Sequence, residues 1–160
     1  SDMDGNEAAL AKLLDGAPLK VFAHNVETVE RLTQNVRDRR ASFKRSVRIL
    51  QASKELRPEL MTKSSVMVGL GETDQDVTDT MKALRDAQVD ILTFGQYLAP
   101  TPNHYPVAAY VTPNRFDDWK TEALDMGFAG IASGPLVRSS FRAGVLYEDA
   151  CALRDSHKQD

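Results

Sequence analysis

Short apolar segments alternate four times with amphipathic segments along this chain. The apolar segments have the length and composition of β-strands, and the segments that follow them repeat apolar residues at helical spacing. The predicted strands are residues 19–23, 64–68, 89–94 and 128–133. Strands that alternate with helices form parallel sheets through right-handed crossovers. The sequence therefore predicts an α/β fold with about four parallel strands, too few to close an eight-stranded barrel.

Capping residues mark where several of the predicted helices begin. Asn6 and Ser42 each precede an amphipathic segment, as N-cap residues do. Thr73 and Asp76 have the spacing of a capping box, in which each side chain binds the other residue's backbone N–H. Pro113 stands at the first position of another predicted helix, where proline is favoured.

Composition excludes several classes of protein. The chain has 160 residues, which suits one domain, and 42% of them are apolar. Its net charge of −3 argues against a dedicated nucleic-acid binder, and no apolar run approaches the ~20 residues that span a bilayer. Cys151 is the only cysteine, so the chain can form neither an internal disulfide nor a cage of thiolates around a metal. We expect Cys151 to be a half-buried helix residue.

Polar residues or glycines follow each predicted strand. In βα folds, ligands bind at the carboxyl ends of the strands, and all of these ends meet at one edge of the sheet. The sequence therefore predicts a shared ligand site at this edge. Its candidate residues are Asn25, Glu27, Gly69, Gly71, Glu72, Gln96, Tyr97, Arg138 and Ser140.

Each candidate also has a purely structural interpretation. Asn25 and Glu27 are suited to capping a helix, and residues 69–72 to forming a tight turn. That two-glycine segment lacks the lysine and the spacing of a P-loop. Gln96 and Tyr97 are also typical strand-end residues, and Arg138 is a typical solvated charge. Lys63 we interpret as a strand-edge residue rather than a functional lysine.

Four segments together resemble lipoyl synthase, and they occur in that family's order with family-like spacing. The Arg-Ser-Ser motif at residues 138–140 is specific by itself, and the combination is more so. The resemblance extends from about Ser1 to Tyr147. The matching segments are residues 21–29, 62–73, 93–98 and 133–140.

The resemblance implies a radical S-adenosylmethionine (SAM) enzyme with a partial (β/α) barrel. Residues 1–146 would be the carboxyl-terminal part of that barrel, and residues 147–160 a helical tail. The implied reaction inserts sulfur at C6 and C8 of an octanoyl group carried by a lipoyl domain or the glycine cleavage H protein. The implied cofactors are SAM and two [4Fe–4S] clusters, one that cleaves SAM reductively to a radical and one that is consumed as the sulfur source.

An electron donor such as ferredoxin or flavodoxin would be a second partner, with neither nucleic acid nor membrane involved. The sequence is closer to mitochondrial members, which implies the mitochondrial matrix; the cytoplasm is the alternative for a bacterial protein.

The resemblance also implies roles for individual residues. Ser140 corresponds to the serine that binds the second, auxiliary cluster. Asn25, Glu27 and residues 69–72 would line the SAM pocket, with Gln96 and Tyr97 nearby. Arg138 would position the motif or the substrate. The chain departs from the family at Phe141, where a tyrosine is usual, so one hydroxyl group is missing.

The family's cluster cysteines lie in two motifs upstream of the matching region, and this chain has neither. The polar start, Ser1 to Gly5, is not typical of a natural N-terminus. We therefore predict that the chain is the carboxyl-terminal part of such an enzyme, inactive and without bound cofactor on its own.

Two other functions fit parts of the sequence. One is a βα enzyme of different chemistry with an anion site at Arg138. The other is a non-catalytic module that binds an acidic carrier domain through Arg37, Arg39, Arg40 and Lys44. Under every interpretation an opened barrel exposes strand edges, which predicts association or marginal stability.

Overall fold

The computed structural model describes residues 3–16 and 18–156. Its centre is a four-stranded parallel sheet in which spatial order follows chain order, β1-β2-β3-β4. The expected α/β class and the four parallel strands are confirmed. The strands are β1 (Val21–Ala23), β2 (Met61–Val68), β3 (Ile91–Gln96) and β4 (Gly130–Gly134).

Helices connect the strands and follow the last of them. Short 3₁₀ turns lie at Met3–Gly5 and Glu30–Leu32. Among the described residues, no helix combines the length and hydropathy needed to cross a membrane. The α-helices are α1 (Glu7–Asp15), α2 (Thr33–Val36), α3 (Phe43–Leu56), α4 (Asp74–Asp86), α5 (Pro113–Asp125) and α6 (Ala143–Ser156).

The predicted caps are confirmed. Each depends only on residues that are close together in the chain, which is why the sequence predicts it. The Asn6 side chain accepts a hydrogen bond from the Ala9 N–H at 3.0 Å, and Ser42 caps α3. Thr73 and Asp76 form the expected reciprocal capping box at the start of α4. The predicted strand bounds agree less well with the structure than the caps do. Strand β2 begins at Met61 rather than at residue 64, since its first residues are buried although several are polar.

One face of the sheet, here called the outer face, carries the main core. Phe22, Val66, Val68, Leu92 and Phe94 alternate with residues that point the other way. Helices α1, α3, α4 and α5 cover them with buried apolar side chains. Those side chains include Leu10, Leu14, Ile49, Leu50, Val77, Met81, Leu84, Phe116 and Trp119.

The opposite face, here called the inner face, is covered differently at its two ends. At the amino ends of the strands, Met61 and Ile91 pack against Leu146 and Ala150 of α6. A Cβ atom on Gly130 would lie 3.1 Å from the Leu146 carbonyl oxygen, so a glycine there lets α6 approach closely. The carboxyl ends of the strands remain available for residues 135–142, which connect β4 to α6.

A buried ion pair joins α3 to the start of β3. The Lys54 ammonium lies 2.6 Å from the Asp90 carboxylate, and both side chains are almost fully buried. Lys54 also donates to the Leu60 carbonyl at 2.7 Å, and Asp90 accepts the Thr62 N–H at 2.7 Å. The pair therefore satisfies backbone groups at the point where β2 begins.

The sheet has open edges at β1 and β4, which pair with no further strand among the described residues. The expected association or marginal stability stays a prediction. The boundary between a barrel at residues 1–146 and a tail at residues 147–160 also stays one, although α6 spans that boundary and packs on the sheet.

Candidate functional site

A cleft lies at the carboxyl ends of the strands, on the inner face. It consists of two cavities of about 130 and 360 Å³ that share Asn25, Glu27 and Ser139. The smaller cavity is also lined by Ser65, Val66, Met67, Gly95, Gln96, Val137 and Arg138. The larger cavity is also lined by Ala23, His24, Arg37, Lys63 and Ser140. We call the two together the rim cleft.

Glu27 enters the rim cleft from a left-handed backbone conformation, with a φ angle of +67°. Such a conformation costs a non-glycine residue about 1–2 kcal/mol, so neighbouring contacts must hold it. Here the Glu27 N–H donates to the Ser65 carbonyl at 3.1 Å, and the Glu27 carbonyl accepts the Met67 N–H at 2.8 Å. The Asn25 side-chain amide donates to the Glu27 carboxylate at 3.2 Å. These contacts hold one amide and one carboxylate side by side in the cleft.

The helix-capping interpretation of Asn25 and Glu27 is not supported. The residue that precedes the 3₁₀ turn at Glu30–Leu32 is Val29, and no side chain caps it. Both candidate side chains line the cleft instead.

Residues 135–142, here called the Arg-Ser-Ser loop, cover the inner face beside these two residues. A Cβ atom on Gly95 would lie 2.2 Å from the Val137 carbonyl oxygen, so the loop backbone rests directly on the sheet. The Lys63 ammonium donates a hydrogen bond to the Ser139 carbonyl. Arg138 is exposed, and its Nη1 donates to the carbonyl of Val137 at 2.8 Å and more weakly to that of Pro135.

Ser140 lies at the exposed end of this loop. Its hydroxyl makes no hydrogen bond with any other residue that the structure describes, and its carbonyl accepts the Ala143 N–H at 3.4 Å. The hydroxyl therefore does not cap α6. It is left available to a ligand in the larger cavity.

The two-glycine segment at residues 69–72 forms a tight turn outside the two cavities. Both carboxylate oxygens of Glu72 accept backbone N–H groups, from Gly69 at 2.6 Å and Leu70 at 2.9 Å. The Gly69 carbonyl accepts N–H groups from Ala108 and Ala109. The turn thus holds the proline-rich loop that follows β3.

Gln96 and Tyr97 hold the same loop with their side chains. The Gln96 amide donates to the Ala109 carbonyl at 3.0 Å and accepts the Val111 N–H at 2.9 Å. The Tyr97 hydroxyl donates to the Tyr105 carbonyl at 2.8 Å. Of the candidate residues, the structure thus brings together Asn25, Glu27, Gln96, Arg138 and Ser140, and leaves Gly69, Gly71, Glu72 and Tyr97 outside the cavities.

Arg31 links the two-glycine turn to α4. Its guanidinium donates to the Gly71 carbonyl at 2.9 Å and lies 2.8 Å from the Asp76 carboxylate. The hydrogen bond from the Arg31 guanidinium to the Asp76 carboxylate, together with the one from the Thr73 N–H, lowers the pKa of Asp76 to about 2.

We expect the Arg31–Asp76 link to make stability dependent on pH in acid. The carboxyl of an unfolded aspartate has a pKa of about 3.9, so a lower folded pKa adds stability that is complete above about pH 4 and lost as the pH falls towards 2. Asp76→Asn should remove this part of the acid-dependent loss. Melting temperatures between about pH 2 and pH 6 measure it, with Asp79→Asn as the control on the same helix. An identical acid profile for Asp76→Asn and the unmodified chain would contradict the prediction.

The interpretation of Lys63 as a strand-edge residue is wrong. Lys63 lies within β2, which has neighbours on both sides, and it is only 6% exposed on the inner face. Burial lowers the pKa of its ammonium group. Thr93, on the neighbouring strand, has a fully buried hydroxyl without a hydrogen-bond partner among the described residues. No clear signal in the sequence marks this polar inner face, because Thr62 and Ser64, which alternate with Lys63 and Ser65, are also polar but lie on the outer face.

The described residues contain no group of three or more histidine, cysteine or acidic side chains that could hold a metal ion. Cys151 is half-buried on α6, as expected. It packs against the apolar cluster of Met61, Ile91, Leu146 and Ala150 at the amino ends of the strands, the end opposite the rim cleft.

Comparison with known families agrees with this geometry. Residues 2–84, just over half of the chain, match the Radical SAM superfamily. The chain belongs to the radical SAM superfamily. The four-stranded parallel sheet is consistent with the partial barrel expected of that family.

The resemblance to lipoyl synthase is confirmed by curated relatives. The mitochondrial lipoyl synthase of Aspergillus fumigatus is 57% identical over 138 residues, which are 86% of this chain and 33% of that protein. The mitochondrial lipoyl synthase of Uncinocarpus reesii is 54% identical over 146 residues, 91% of this chain and 35% of that protein. This radical SAM chain thus spans about a third of the length of the curated relatives it matches.

Proposed function

We propose that this chain is part of a lipoyl synthase, in which it forms one wall of the SAM site and supplies an oxygen ligand to the auxiliary cluster. The reaction would insert two sulfur atoms, at C6 and C8, into an octanoyl group attached to a carrier protein. One observation carries the proposal: the Arg-Ser-Ser loop is docked on the inner face, so that Ser140 lines the same cleft as Asn25 and Glu27.

The side chains of the rim cleft suit SAM, which carries ribose hydroxyls, an amino group and a carboxylate. The Glu27 carboxylate accepts hydrogen bonds from hydroxyl or amino groups, and the Asn25 amide can both donate and accept. Arg138 offers a cation for a carboxylate, and no carboxylate pairs with it among the described residues. When bound, SAM and its [4Fe–4S] cluster would supply the radical chemistry that removes hydrogen from the substrate.

Ser140 suits a cluster that is to be taken apart. Its hydroxyl is exposed and makes no hydrogen bond to a described residue. A serine oxygen is a harder ligand than a thiolate, so it is a poorer match for iron–sulfur iron and releases it more readily. The remaining ligands would come from cysteines beyond those of this sequence, which has only Cys151. By itself the chain would therefore bind neither cluster and be inactive.

Substrates and surroundings follow from the same proposal. The acceptor would be an octanoylated lipoyl domain or H protein, and electrons would come from a donor such as ferredoxin or flavodoxin. The relatives are named mitochondrial, which supports the mitochondrial matrix. The basic surface suggested for a non-catalytic carrier-binding module is partly neutralised, since Arg40 pairs with Asp38 and Lys44 with Glu30. That pairing favours the enzyme over the binding module.

The decisive experiment changes Ser140 in the longer protein of which this chain would be part. Ser140→Ala should lower lipoyl formation at least tenfold and reduce the iron bound per protein, because the auxiliary cluster loses a ligand. Mass spectrometry of an octanoylated carrier domain and iron analysis measure the two effects. Ser140→Thr, which keeps an oxygen ligand, should retain more of both.

Thr121→Ala is the matched control, since it removes an exposed hydroxyl on α5, outside the rim cleft. It should leave lipoyl formation and iron content unchanged. Unchanged lipoyl formation and iron content in Ser140→Ala would show that Ser140 binds no cluster. A longer protein that forms no lipoyl group even without substitution would instead favour a βα enzyme of other chemistry with an anion site at Arg138.

A further inference from the structure

We infer that Lys63 is a positioning residue, whose ammonium group fixes the Arg-Ser-Ser loop on the inner face and so determines where Ser140 stands. The inference rests on the proposed role of Ser140. Lys63 lies 76 positions before Ser139, whose carbonyl it binds.

Lys63 is an unusual residue for its surroundings. It is only 6% exposed, and no carboxylate pairs with its ammonium among residues 3–16 and 18–156. Burying an unpaired ammonium is costly, and an apolar side chain in the same place would avoid that cost. Packing therefore does not account for a lysine here.

The contact that Lys63 makes is specific to the loop. Its ammonium donates to the Ser139 carbonyl, directly before Ser140 in the chain. A hydrogen bond from a charged donor is stronger than one between neutral groups. The Arg138 guanidinium does not replace this contact, because its hydrogen bonds go to carbonyls of the loop itself.

A second contact holds the loop two residues earlier. The Val137 carbonyl rests on Gly95, at a distance that a Cβ atom would not allow. Val137 is buried, whereas Ser139 and Ser140 are exposed. The sheet thus fixes the loop by packing at Val137 and by the Lys63 hydrogen bond at Ser139. Without the Lys63 hydrogen bond, the exposed end that carries Ser140 would be tied to the inner face only through Val137.

The test compares Lys63→Met and Lys63→Arg in the reconstituted longer protein, with Lys82→Met, an exposed lysine on α4, as the matched control. Hydrogen–deuterium exchange of the Val137 and Phe141 amides, which donate to the Gly134 and Arg138 carbonyls, reports how the loop is held. Lys63→Met should speed that exchange at least tenfold, and Lys63→Arg should restore most of the protection. The melting temperature of Lys63→Met should not fall, since a buried unpaired charge is removed.

Mössbauer spectra of the auxiliary cluster provide the second readout. Lys63→Met should change the signal of the iron that Ser140 binds in the unmodified protein, and Ser140→Ala should change it in the same direction. A lower melting temperature without faster loop exchange would overturn the inference, because Lys63 would then be merely structural. It is also overturned if Lys63→Met weakens SAM binding tenfold while loop exchange is unchanged, since Lys63 would then bind the ligand.

The Ser140 variant separates this inference from the proposed function. If Ser140→Ala changes the iron signal and Lys63→Met does not, the inference fails and the proposed function stands. If Ser140→Ala leaves the iron signal unchanged, the proposed function fails, and the role of Lys63 in placing a cluster ligand fails with it.

Discussion

Gly69→Ala is expected to lower the free energy of unfolding by about 3 kcal/mol, combining a strained backbone with an overpacked contact. Gly69 has a φ angle of +92°, which side chains other than glycine's rarely adopt. A Cβ atom there would lie 2.3 Å from the Gln96 side-chain nitrogen and 2.4 Å from the Ala109 carbonyl oxygen. Gln96 can move only by giving up its bond to that carbonyl, and the Ala109 backbone is itself bound to Gly69.

Gly71→Ala is the matched control two residues later in the same turn. Its φ angle of +101° imposes a similar backbone strain, but the added Cβ atom would lie 3.7 Å from the Ala108 side chain, an ordinary contact. We expect a loss of about 1 kcal/mol, from the strain alone. Urea unfolding measures both variants, and limited proteolysis at residues 98–111 should increase for Gly69→Ala only. Equal losses in the two variants would show that close approach contributes nothing.

Local features of this fold could be predicted from the sequence, because they depend on residues close together in the chain. The Thr73–Asp76 capping box and the Asn6 cap are of this kind. The parallel sheet was predictable from the alternation of strands and helices. The start of β2 was not, because Thr62 and Lys63 are polar residues that only the neighbouring strands and helices bury.

The residues of the candidate site also divide into those that the sequence predicted and those that depend on contacts with distant parts of the chain. Asn25, Glu27 and Ser140 were found because the ends of parallel strands meet at one edge and because the Arg-Ser-Ser motif resembles a known family. The tight turn at residues 69–72 was one of the interpretations offered, and Glu72 binds the backbone of that turn. The loop-holding role of Gln96 was not predicted, because it depends on a backbone segment 13 to 15 residues away. Lys63 was missed for the same reason, since its partner is 76 residues away.

The two faces of the sheet therefore meet different demands. The outer face is mostly apolar and holds the helices, although it also buries Thr62 and Ser64. The inner face carries Lys63, Ser65 and Thr93, which an ordinary core would replace with apolar residues. That polarity is understandable if the inner face serves the loop and the ligands of the rim cleft. Stability must then come from the outer face and from contacts at the strand starts.

Asp90→Asn tests the strongest of those contacts and is expected to lower the free energy of unfolding by about 3–5 kcal/mol, as removal of one partner of a buried ion pair does. The asparagine oxygen can still accept the Thr62 N–H, so the variant mainly removes the charge. Lys54, whose side chain is 8% exposed, would keep neutral oxygen acceptors but lose its counter-charge. Burial of an ammonium without a counter-charge is the source of the loss.

The Lys54→Met, Asp90→Asn double variant should recover part of that loss, because the uncompensated ammonium is gone. Glu55→Gln is the control, since it removes a carboxylate from an exposed pair with Arg48 and should change stability little. Urea unfolding of the unmodified chain, both single variants and the double variant gives the coupling energy between Lys54 and Asp90. If Asp90→Asn and Glu55→Gln cost the same, burial adds nothing to the Lys54–Asp90 pair, and the start of β2 is held by its backbone hydrogen bonds alone.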